Sequence, residues 1–530
     1  MAESQKLYKD FSGGLVTRIP ATHIKRSQTP DCGDMISLPG GALVSRLGKT
    51  KLMDQTSGNA GKAITMLANY TKSDGTKEVL VAYAGLIKKL NMSTGAVTDL
   101  PTPVSGQVDT ALYGFNIYDD NAFFCNGQDS MIRYTGSANA TVTLTNLAAA
   151  VFYTNVFIFT KDGKMFAIDA GNTKLLHRSK TDLGTASDIY TFNYSGGTAL
   201  TNSGTTNIKE DGTPLTALQV LDDLYLFTNK SIAKLVYDSA LTAYVPVNVA
   251  KGSGTYTNPS LVTTGSALIY FDSDDKVFSQ LGQVERYPQF IVTELSDAIR
   301  NLTTETYDFT SARSIYWNRL FLTACKSSSS ATVNDTVIVF DIESKAVWRI
   351  PNWYVNCWME YDGKLYYGSA QNPVVYQCFV GTADDGGTIP FYWTSNVEDF
   401  ASPELYKNSF FLYVEGTIDQ LVDLEFTLTF NDGAFQVVKT IEGDSTEYTT
   451  ATNTLSSLGV AQRGVYTIGG IAQEGSRIFR VWLELNCDSF HNVQIQFRNT
   501  GGVGSASIRQ MKFIGLTGED EQTIPSNRII

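Results

Sequence analysis

The chain has 530 residues, of which 43% are hydrophobic and 12% aromatic, and its formal net charge is −12. This length exceeds what one hydrophobic core supports, so two or three domains are expected, one of them a large all-β unit. The negative charge disfavours a protein that grips phosphates electrostatically, although it suits a channel wall past which DNA slides.

Several other classes are also disfavoured by composition. No window reaches the ~18 apolar residues of a membrane span, and the first ten residues do not read as a signal peptide, so folding in a cytoplasm is expected. The six cysteines are widely spaced without a CxxC pair, which indicates free buried thiols rather than disulfides or a metal site. With only three histidines, metal and histidine-based catalysis have little to work with.

Residues 1–60 are interpreted as a framing segment that cannot bury a core alone. It contains Gly-Gly turns and a short amphipathic strand within residues 42–52. We expect this segment to lie against, and add a closing strand to, something built later in the chain.

From Ile64 to about residue 380 the sequence repeats one unit, a set of four β-runs separated by tight turns. Val, Ile, Tyr and Trp fit a pleated half-buried surface, and Asp-Gly pairs supply the positive φ of a two-residue hairpin. The second unit ends in TVTL, the third in DIYTFN, and the seventh has only three runs. The seven units begin at ITMLANY, ALYGFNIYDD, VFIFT, LTALQVLDD, LVTTG, SIYWN and CWMEYD.

Four-stranded antiparallel units at a period of about 40 to 50 residues are typical of a β-propeller. The sequence therefore predicts an all-β protein with a six- or seven-bladed propeller over residues 61–380, seven by this count. Its three-run last blade would be completed by the early strand at 42–52. The competing layout is two stacked sandwiches. One helix-like piece at 293–303, with Ser296 or Thr293 as a possible N-cap, is expected to be a packing insert between the fifth and sixth blades.

After a Gly/Asp linker, residues 388–518 alternate apolar and polar residues, as strands with one buried face do. This pattern predicts a C-terminal β-sandwich, followed by a loose arm at 519–530. The runs that carry the alternation are FFLYVEG, LEFTLTF, FQVVKTI, IFRVWLELN, NVQIQFRN and SIRQMKFIGLT.

Three patterns could carry chemistry, and each has a plainer interpretation. FDSDD at 271–275 resembles the start of a calcium loop, but Lys276 replaces a ligand and no glycine follows, so a charged turn is favoured. Four aspartates at hairpin corners could imitate a catalytic carboxylate pair, although aspartate also recurs because it forms turns. A set of six tryptophan and tyrosine residues could form a platform on which a sugar stacks, but such residues on strands are more typical of core between blades. The aspartates are Asp169, Asp272, Asp341 and Asp362, and the aromatic residues are Trp348, Trp353, Tyr354, Trp358, Tyr366 and Tyr367. No catalytic, cofactor-binding or metal-binding residue is assigned.

The order of several motifs resembles a family of virion β-propeller proteins from tailed bacteriophages. The chain opens with FSGGL and QTPDCGDMISLPGGALVSRLGKTKL, and continues with SIAKLVY, LIYFDSDDKVFS, FDIESKAVWRI and IPFYWTSNVEDFASPELYKNSFFLYVEG. Each motif consists of turn-forming and aromatic residues and is weak alone, so the order of the motifs along the chain is a more specific signal than any one of them. The resemblance covers most of the chain.

Members of that family are tail nozzle, tail hub or DNA-stabilisation components of short-tailed phages. The resemblance implies a structural virion protein without enzymatic activity or cofactor, assembled in the host bacterial cytoplasm into a homo-oligomeric ring, six copies in the family. Its partners would be portal and adaptor proteins, tail fibres or spikes, and genomic DNA that passes through the lumen without sequence-specific binding. The alternative function is a secreted glycan-binding or glycan-cleaving propeller with a carbohydrate-binding sandwich.

Overall fold

Almost all regular structure in the protein is β-strand. The computed structural model describes residues 6–38, 40–141, 153–160, 163–182, 204–207, 214–221, 223–241, 243–264, 267–284, 287–400, 403, 406–444, 477–514 and 517–519. Within these residues it has seven antiparallel sheets of four strands and two larger sheets, as a β-propeller with a β-sandwich requires. The predicted fold class is therefore confirmed.

Seven strands precede the first complete four-stranded sheet. They are β1 Lys6–Tyr8, β2 Gly14–Leu15, β3 Gln28–Thr29, β4 Asp31–Gly33, β5 Met35–Ser37, β6 Leu43–Ser45 and β7 Lys49–Asp54.

In blades 1 to 6 the strands neighbour one another in chain order, whereas the early strand β7 is the fourth strand of blade 7. Blades 1 to 3 are β8 Ile64–Thr71, β9 Lys77–Tyr83, β10 Leu86–Leu90 and β11 Val97–Val104; β12 Gly114–Tyr118, β13 Asn121–Cys125, β14 Ile132–Tyr134 and β15 Asn139–Thr141; β16 Tyr153–Phe159, β17 Met165–Asp169, β18 Leu175–Arg178 and β19 Gly204–Asn207. Blades 4 and 5 are β20 Leu215–Val220, β21 Leu224–Thr228, β22 Ser231–Asp238 and β23 Ala243–Lys251; β24 Val262–Thr263, β25 Ala267–Asp272, β26 Val277–Val284 and β27 Tyr287–Glu294. Blades 6 and 7 are β28 Asp308–Trp317, β29 Leu320–Lys326, β30 Thr336–Asp341 and β31 Val347–Pro351; β32 Val355–Tyr361, β33 Lys364–Ser369, β34 Val374–Cys378 and the early strand β7.

Burial along a blade explains its residue types. The second strand of blade 1 is buried without interruption over residues 79–83, because its two faces are both covered, and it reads as an apolar run instead of alternating. The outer strand β11 is mostly exposed and contains Pro101 and Pro103, which cannot donate ladder hydrogen bonds. Proline on an outer strand thus limits unwanted edge pairing.

The first strands of the blades contact one another around the propeller. β8 contacts β12 and β32, β12 contacts β16, and β16 contacts β20. Both β20 and β28 contact a 3₁₀ turn at Asn258–Ser260, and β28 contacts β32. These strands therefore line the centre of the propeller.

The seven repeat units of the sequence correspond to the seven blades, with some differences in position. The strand that completes blade 7 is β7, whereas β6, in the first part of the 42–52 segment, pairs with the last long strand of the chain instead. The fourth strand of blade 3 is Gly204–Asn207. The DIYTFN run expected there lies outside the described residues, as does all but the first residue of TVTL.

The helix-like piece after blade 5 begins later than expected. Residue 293 still belongs to β27, and a 3₁₀ turn at Asp297–Ile299 is followed by a π-helical turn at Leu302–Thr306. Ser296 precedes these turns but makes no side-chain cap, because its hydroxyl accepts a hydrogen bond from Phe278 N–H at 2.8 Å. The predicted capping role is therefore wrong. None of the helical segments in the described residues has the length and apolarity needed to cross a membrane.

The remaining strands, with one 3₁₀ turn at Asn431–Gly433, build the two larger sheets. The strands are β35 Tyr392–Thr394, β36 Tyr406–Ile418, β37 Asp423–Phe430, β38 Phe435–Glu442, β39 Arg477–Phe490, β40 Val493–Asn499, β41 Ala506–Ile514 and β42 Thr517–Glu519. One sheet has the order β39-β36-β41-β6-β5, with β1 on β41 and β42 on β36, and the other has the order β38-β37-β40-β35-β4. The N-terminal segment thus adds strands to both sheets. Of the predicted arm, only Glu519 lies within the described residues.

Alternating burial brings the inner faces of these sheets together. Every second residue of β37, from Leu424 to Phe430, is buried, and β40 alternates likewise. Phe430 of one sheet meets Phe490 of the other with ring centroids 4.9 Å apart, in the edge-to-face arrangement that aromatic pairs prefer. This packing is that of a β-sandwich.

The chain divides into two compact units that are discontinuous in sequence. The first unit comprises Met1–Thr50, Ile338–Pro351 and Cys378–Ile530, and the second comprises Lys51–Val337 and Asn352–Gln377. The domain boundaries predicted from the sequence instead divide the chain into consecutive blocks.

Candidate functional site

The motif GGALVSRLG, which carries part of the family resemblance, supplies a buried ion-pair hub in the first unit. Arg46 and Asp34 are both 1% exposed, and the Arg46 Nε donates to Asp34 Oδ1 at 2.6 Å. The two Nη groups of Arg46 donate to the two carboxylate oxygens of Asp384 at 2.8 and 2.7 Å. Two-point geometry of this kind is the strongest form of arginine pairing. Asp384 lies in the stretch that was interpreted as a Gly/Asp linker, so its role was missed.

Burial and pairing act in opposite directions on the Arg46 guanidinium. Burial alone lowers the pKa of Arg46, but its hydrogen bonds to Asp384 and the charge of Asp34 outweigh this effect, and the pKa is raised. Burial raises the pKa of Asp34, against the charge of Arg46. A guanidinium whose three donor groups are all satisfied has no capacity left for a ligand, so the hub is structural.

Gly48 in the same motif explains why a glycine follows Arg46. A Cβ at this position would lie 1.8 Å from the Ala383 carbonyl oxygen, closer than any side chain tolerates. Gly48 N–H also donates to Gly381 O at 3.0 Å, and its carbonyl accepts from Val380 N–H at 3.0 Å. The R-x-G pattern therefore fixes a close backbone contact.

The four hairpin-corner aspartates are held in separate turns. Asp169 Oδ1 accepts from Gly171 N–H at 2.7 Å, and its other oxygen lies 2.8 Å from His177 Nε2. Asp341 accepts the backbone N–H of Glu343 at 3.0 Å. These are turn-forming roles of the kind that aspartate adopts generally.

The other two corner aspartates differ strongly in exposure. Asp362 is exposed and pairs with Lys77. Asp272, in FDSDD, is 1% exposed, hydrogen-bonds Ser253 and accepts Asp274 N–H at 3.0 Å. Burial raises the pKa of Asp272, while these hydrogen bonds lower it. Within the described residues, no group of three or more His, Cys, Asp or Glu side chains could hold a metal ion.

Most of the six aromatic residues considered as a sugar platform are packed inside the protein and not exposed on its surface. Trp353 is fully buried and its ring centroid lies 5.7 Å from that of Tyr367, which also stacks on Tyr376 at 5.1 Å. Trp348 and Tyr366 are buried as well, at 2% and 3% exposure. These four rings form core, whereas Tyr354 and Trp358 are half-buried.

The six cysteines are free thiols in the structure, five buried and Cys357 half-buried. Burial raises the pKa of Cys32 and of Cys357 to about 12. Thiols held in this way are poor nucleophiles at neutral pH.

A cavity of about 260 Å³ opens at the centre of the second unit, between first strands of the blades. Arg313 is the one formally charged residue among these described lining residues. The lining residues are Thr65, Met66, Leu67, Leu112, Tyr113, Phe115, Asn258, Pro259, Leu261, Arg313, Ser314, Ile315, Asn356, Cys357 and Trp358.

Arg313 is buried, and no carboxylate in the described part of the chain pairs with it. The residue is 8% exposed, and its Nη1 donates to the carbonyl oxygens of Ser311 and Ala312, both at 2.8 Å. Its Nε has no hydrogen-bond partner in the described part of the chain. Burial lowers the pKa of Arg313 to about 10, with only a small opposing effect of Cys357. Tyr113 also lines the cavity, and burial together with the charge of Asp129 raises the pKa of its hydroxyl, which lies close to Asn126. Neither Arg313 nor Tyr113 was predicted from the sequence to have a role.

No protein-family model and no curated protein sequence matches the chain. Solved structures with similar folds include the computationally designed protein Ika8, at 12% identity and a TM-score of 0.35, covering 62% of this chain and 99% of that one. YCF48 from Cyanidioschyzon merolae aligns at 8% identity with a TM-score of 0.40, covering 63% of this chain and 98% of that one. A structure of YCF48 bound to D1 peptide aligns at 10% identity with a TM-score of 0.36, covering 66% and 97%.

Proposed function

We propose that this chain is a structural virion protein of a tailed bacteriophage, a nozzle or hub ring component that extends or closes the DNA-exit channel below the portal and adaptor. The observation that carries the proposal is the use of the resemblance motif. Buried contacts of three residues, Asp34, Arg46 and Gly48, hold sequence-distant segments of the first unit together. A motif used in this way serves the scaffold and not a reaction.

The proposed assembly is a closed ring of identical subunits, six by the family resemblance, which also docks fibres or spikes. Cyclic closure with heterologous interfaces is a common route for identical subunits. The net charge of −12 gives DNA few lasting phosphate contacts, so genomic DNA passes without being held.

Antibodies against the purified protein test the proposal on particles of the phage that encodes it. Immunogold electron microscopy should label the tail end of the capsid, and the isolated protein should bind duplex DNA no more tightly than about 10⁻⁶ M at physiological salt. Absence of the protein from purified particles, or tight and salt-dependent DNA binding, would overturn the proposal.

One observation favours the alternative, a glycan-binding protein. Trp482, on the outer face of a sandwich sheet, is 55% exposed, and its ring lies 5.2 Å from that of Tyr413 and 6.3 Å from that of Phe411. Exposed aromatic faces of this kind can stack on sugar rings. Oligosaccharide binding that is lost in Trp482→Ala and kept in Trp482→Phe would support the alternative, whereas no binding by the unmodified protein would remove it.

A further inference from the structure

Arg313 places a positive charge beside the central cavity of the propeller and leaves it uncompensated. Burying a charge without a partner is costly, and buried arginines are ordinarily paired. We propose that the cavity binds a small oxyanion, a carboxylate or a phosphate, through Arg313. This site goes beyond the virion role and does not depend on it.

The hydrogen bonds of Arg313 indicate which edge of the guanidinium is available. Nη1 is fixed by two carbonyl oxygens of the neighbouring backbone, Ser311 and Ala312, at 2.8 Å each. Nε, on the other side of the planar group, has no acceptor among the described residues but is itself sealed from water-sized contact, so an anion approaches this side of the group at the adjacent Nη2. Hydrogen bonds between a guanidinium and an oxyanion are charge-assisted, and a guanidinium anchored at Nη1 is already oriented for such a contact.

The remaining lining residues fit the same ligand class. None of these described residues is an aspartate or glutamate that would repel an anion. A volume of about 260 Å³ lies just below the ~300 to 1,000 Å³ of ordinary small-molecule pockets. The space admits a small anion with water and excludes a nucleic-acid strand.

Isothermal titration calorimetry on the full chain tests the site. Sodium phosphate and sodium acetate are titrated separately at constant ionic strength with chloride, so that the two arms distinguish a phosphate from a carboxylate ligand. We expect one anion per chain to bind in at least one arm, and Arg313→Met to lose affinity by about tenfold or more, because charge-assisted hydrogen bonds are lost. Arg509→Met is the matched control, since Arg509 is exposed on a sandwich strand and should leave binding unchanged.

Arg313→Gln, which keeps a polar side chain without the charge, replaces the methionine variant if the latter does not fold, with the same expected loss. Equal binding by the unmodified protein and either Arg313 variant would overturn the proposal. So would the absence of binding in both arms up to about 10 mM, a concentration at which a buried charge-assisted contact should be occupied, because water alone would then satisfy Arg313.

Discussion

Two buried arginines, one in each compact unit, have opposite electrostatic surroundings. Arg46 is 1% exposed and contacts two carboxylates, which raise its pKa. Arg313 is 8% exposed, its hydrogen-bond acceptors among the described residues are backbone carbonyls, and its pKa is lowered to about 10 by burial. Similar burial of the same side chain thus serves a structural bridge in one unit and leaves a free donor edge in the other.

The difference shows how burial should be interpreted. A buried charge with all its partners supplied by the chain stabilises one arrangement of segments, as Arg46 does for residues distant in sequence. A buried charge without them marks a place where the chain alone is incomplete. Substitutions at Arg46 and Arg313 should therefore change the free energy of unfolding by amounts that differ in sign as well as in size.

The largest effect is expected for Arg46→Met. This change leaves Asp34 and Asp384 as uncompensated carboxylates, with Asp34 1% exposed, and should lower the free energy of unfolding by about 3 to 5 kcal/mol. Urea denaturation at pH 7.5 measures it. Arg498→Met is the control, since Arg498 pairs with Glu425 while 56% exposed, and it should cost at most about 1 kcal/mol. Equal costs for the two variants would contradict the structural role of the hub.

The next effect concerns pH and the Cys32 thiol. Burial raises its pKa to about 12, against an ordinary value of 9.0. Between these values the folded protein retains a proton that the unfolded chain releases, so stability is fully present below pH 9 and falls as pH rises. The loss for this thiol should be about 1.4 kcal/mol per pH unit. In Cys32→Ala, the free energy of unfolding measured by urea denaturation should fall less steeply between pH 9 and 10.5. An unchanged slope would count against the raised pKa of Cys32.

Arg313→Met sharpens the comparison with Arg46. Because no carboxylate is left unpaired and methionine replaces the apolar stem, the free energy of unfolding should stay constant or rise by up to about 1 kcal/mol. The measurement requires chloride buffer free of phosphate and carboxylates, since a bound anion would stabilise the unmodified protein. A loss of 3 kcal/mol or more would show that Arg313 has structural partners comparable to those of Arg46.

The smallest effect is a change in thiol reactivity. Cys357 lines the cavity, and the charge of Arg313 lowers its pKa within a balance that burial dominates. Alkylation of Cys357 at pH 9 should therefore slow by about two- to threefold in Arg313→Met, because the thiolate fraction falls. Arg313→Lys keeps the charge and should preserve the rate. Faster alkylation in the methionine variant would contradict the electrostatic link.

Much of the fold could be predicted because its signals are local. The run at 77–83 and the Asp74–Gly75 turn before it form a hairpin in the structure as in the sequence pattern. Strands of two or three residues, such as Lys6–Tyr8 and Asp31–Gly33, are too short to show a period, so their places in the sandwich sheets could not be found. They acquire their pairing from partners hundreds of residues away.

The candidate sites were not predictable for the same reason. Arg46 and Asp384 are 338 positions apart, and Asp384 sits among glycines typical of a turn. Arg313 looks like the solvent-facing residue of an alternating strand, and only the ring of blades places it at a cavity. Asp272, in contrast, was interpreted as a turn former from its local sequence, and its hydrogen bonds to the following backbone show that geometry.

The most direct test of the contrast between the two arginines is an experimental density map of the protein prepared in phosphate or acetate. We expect an oxyanion within about 3 Å of the Arg313 guanidinium, and at Arg46 only the two carboxylates of the chain. A map with water alone at Arg313, or with a protein carboxylate paired to it, would contradict the account.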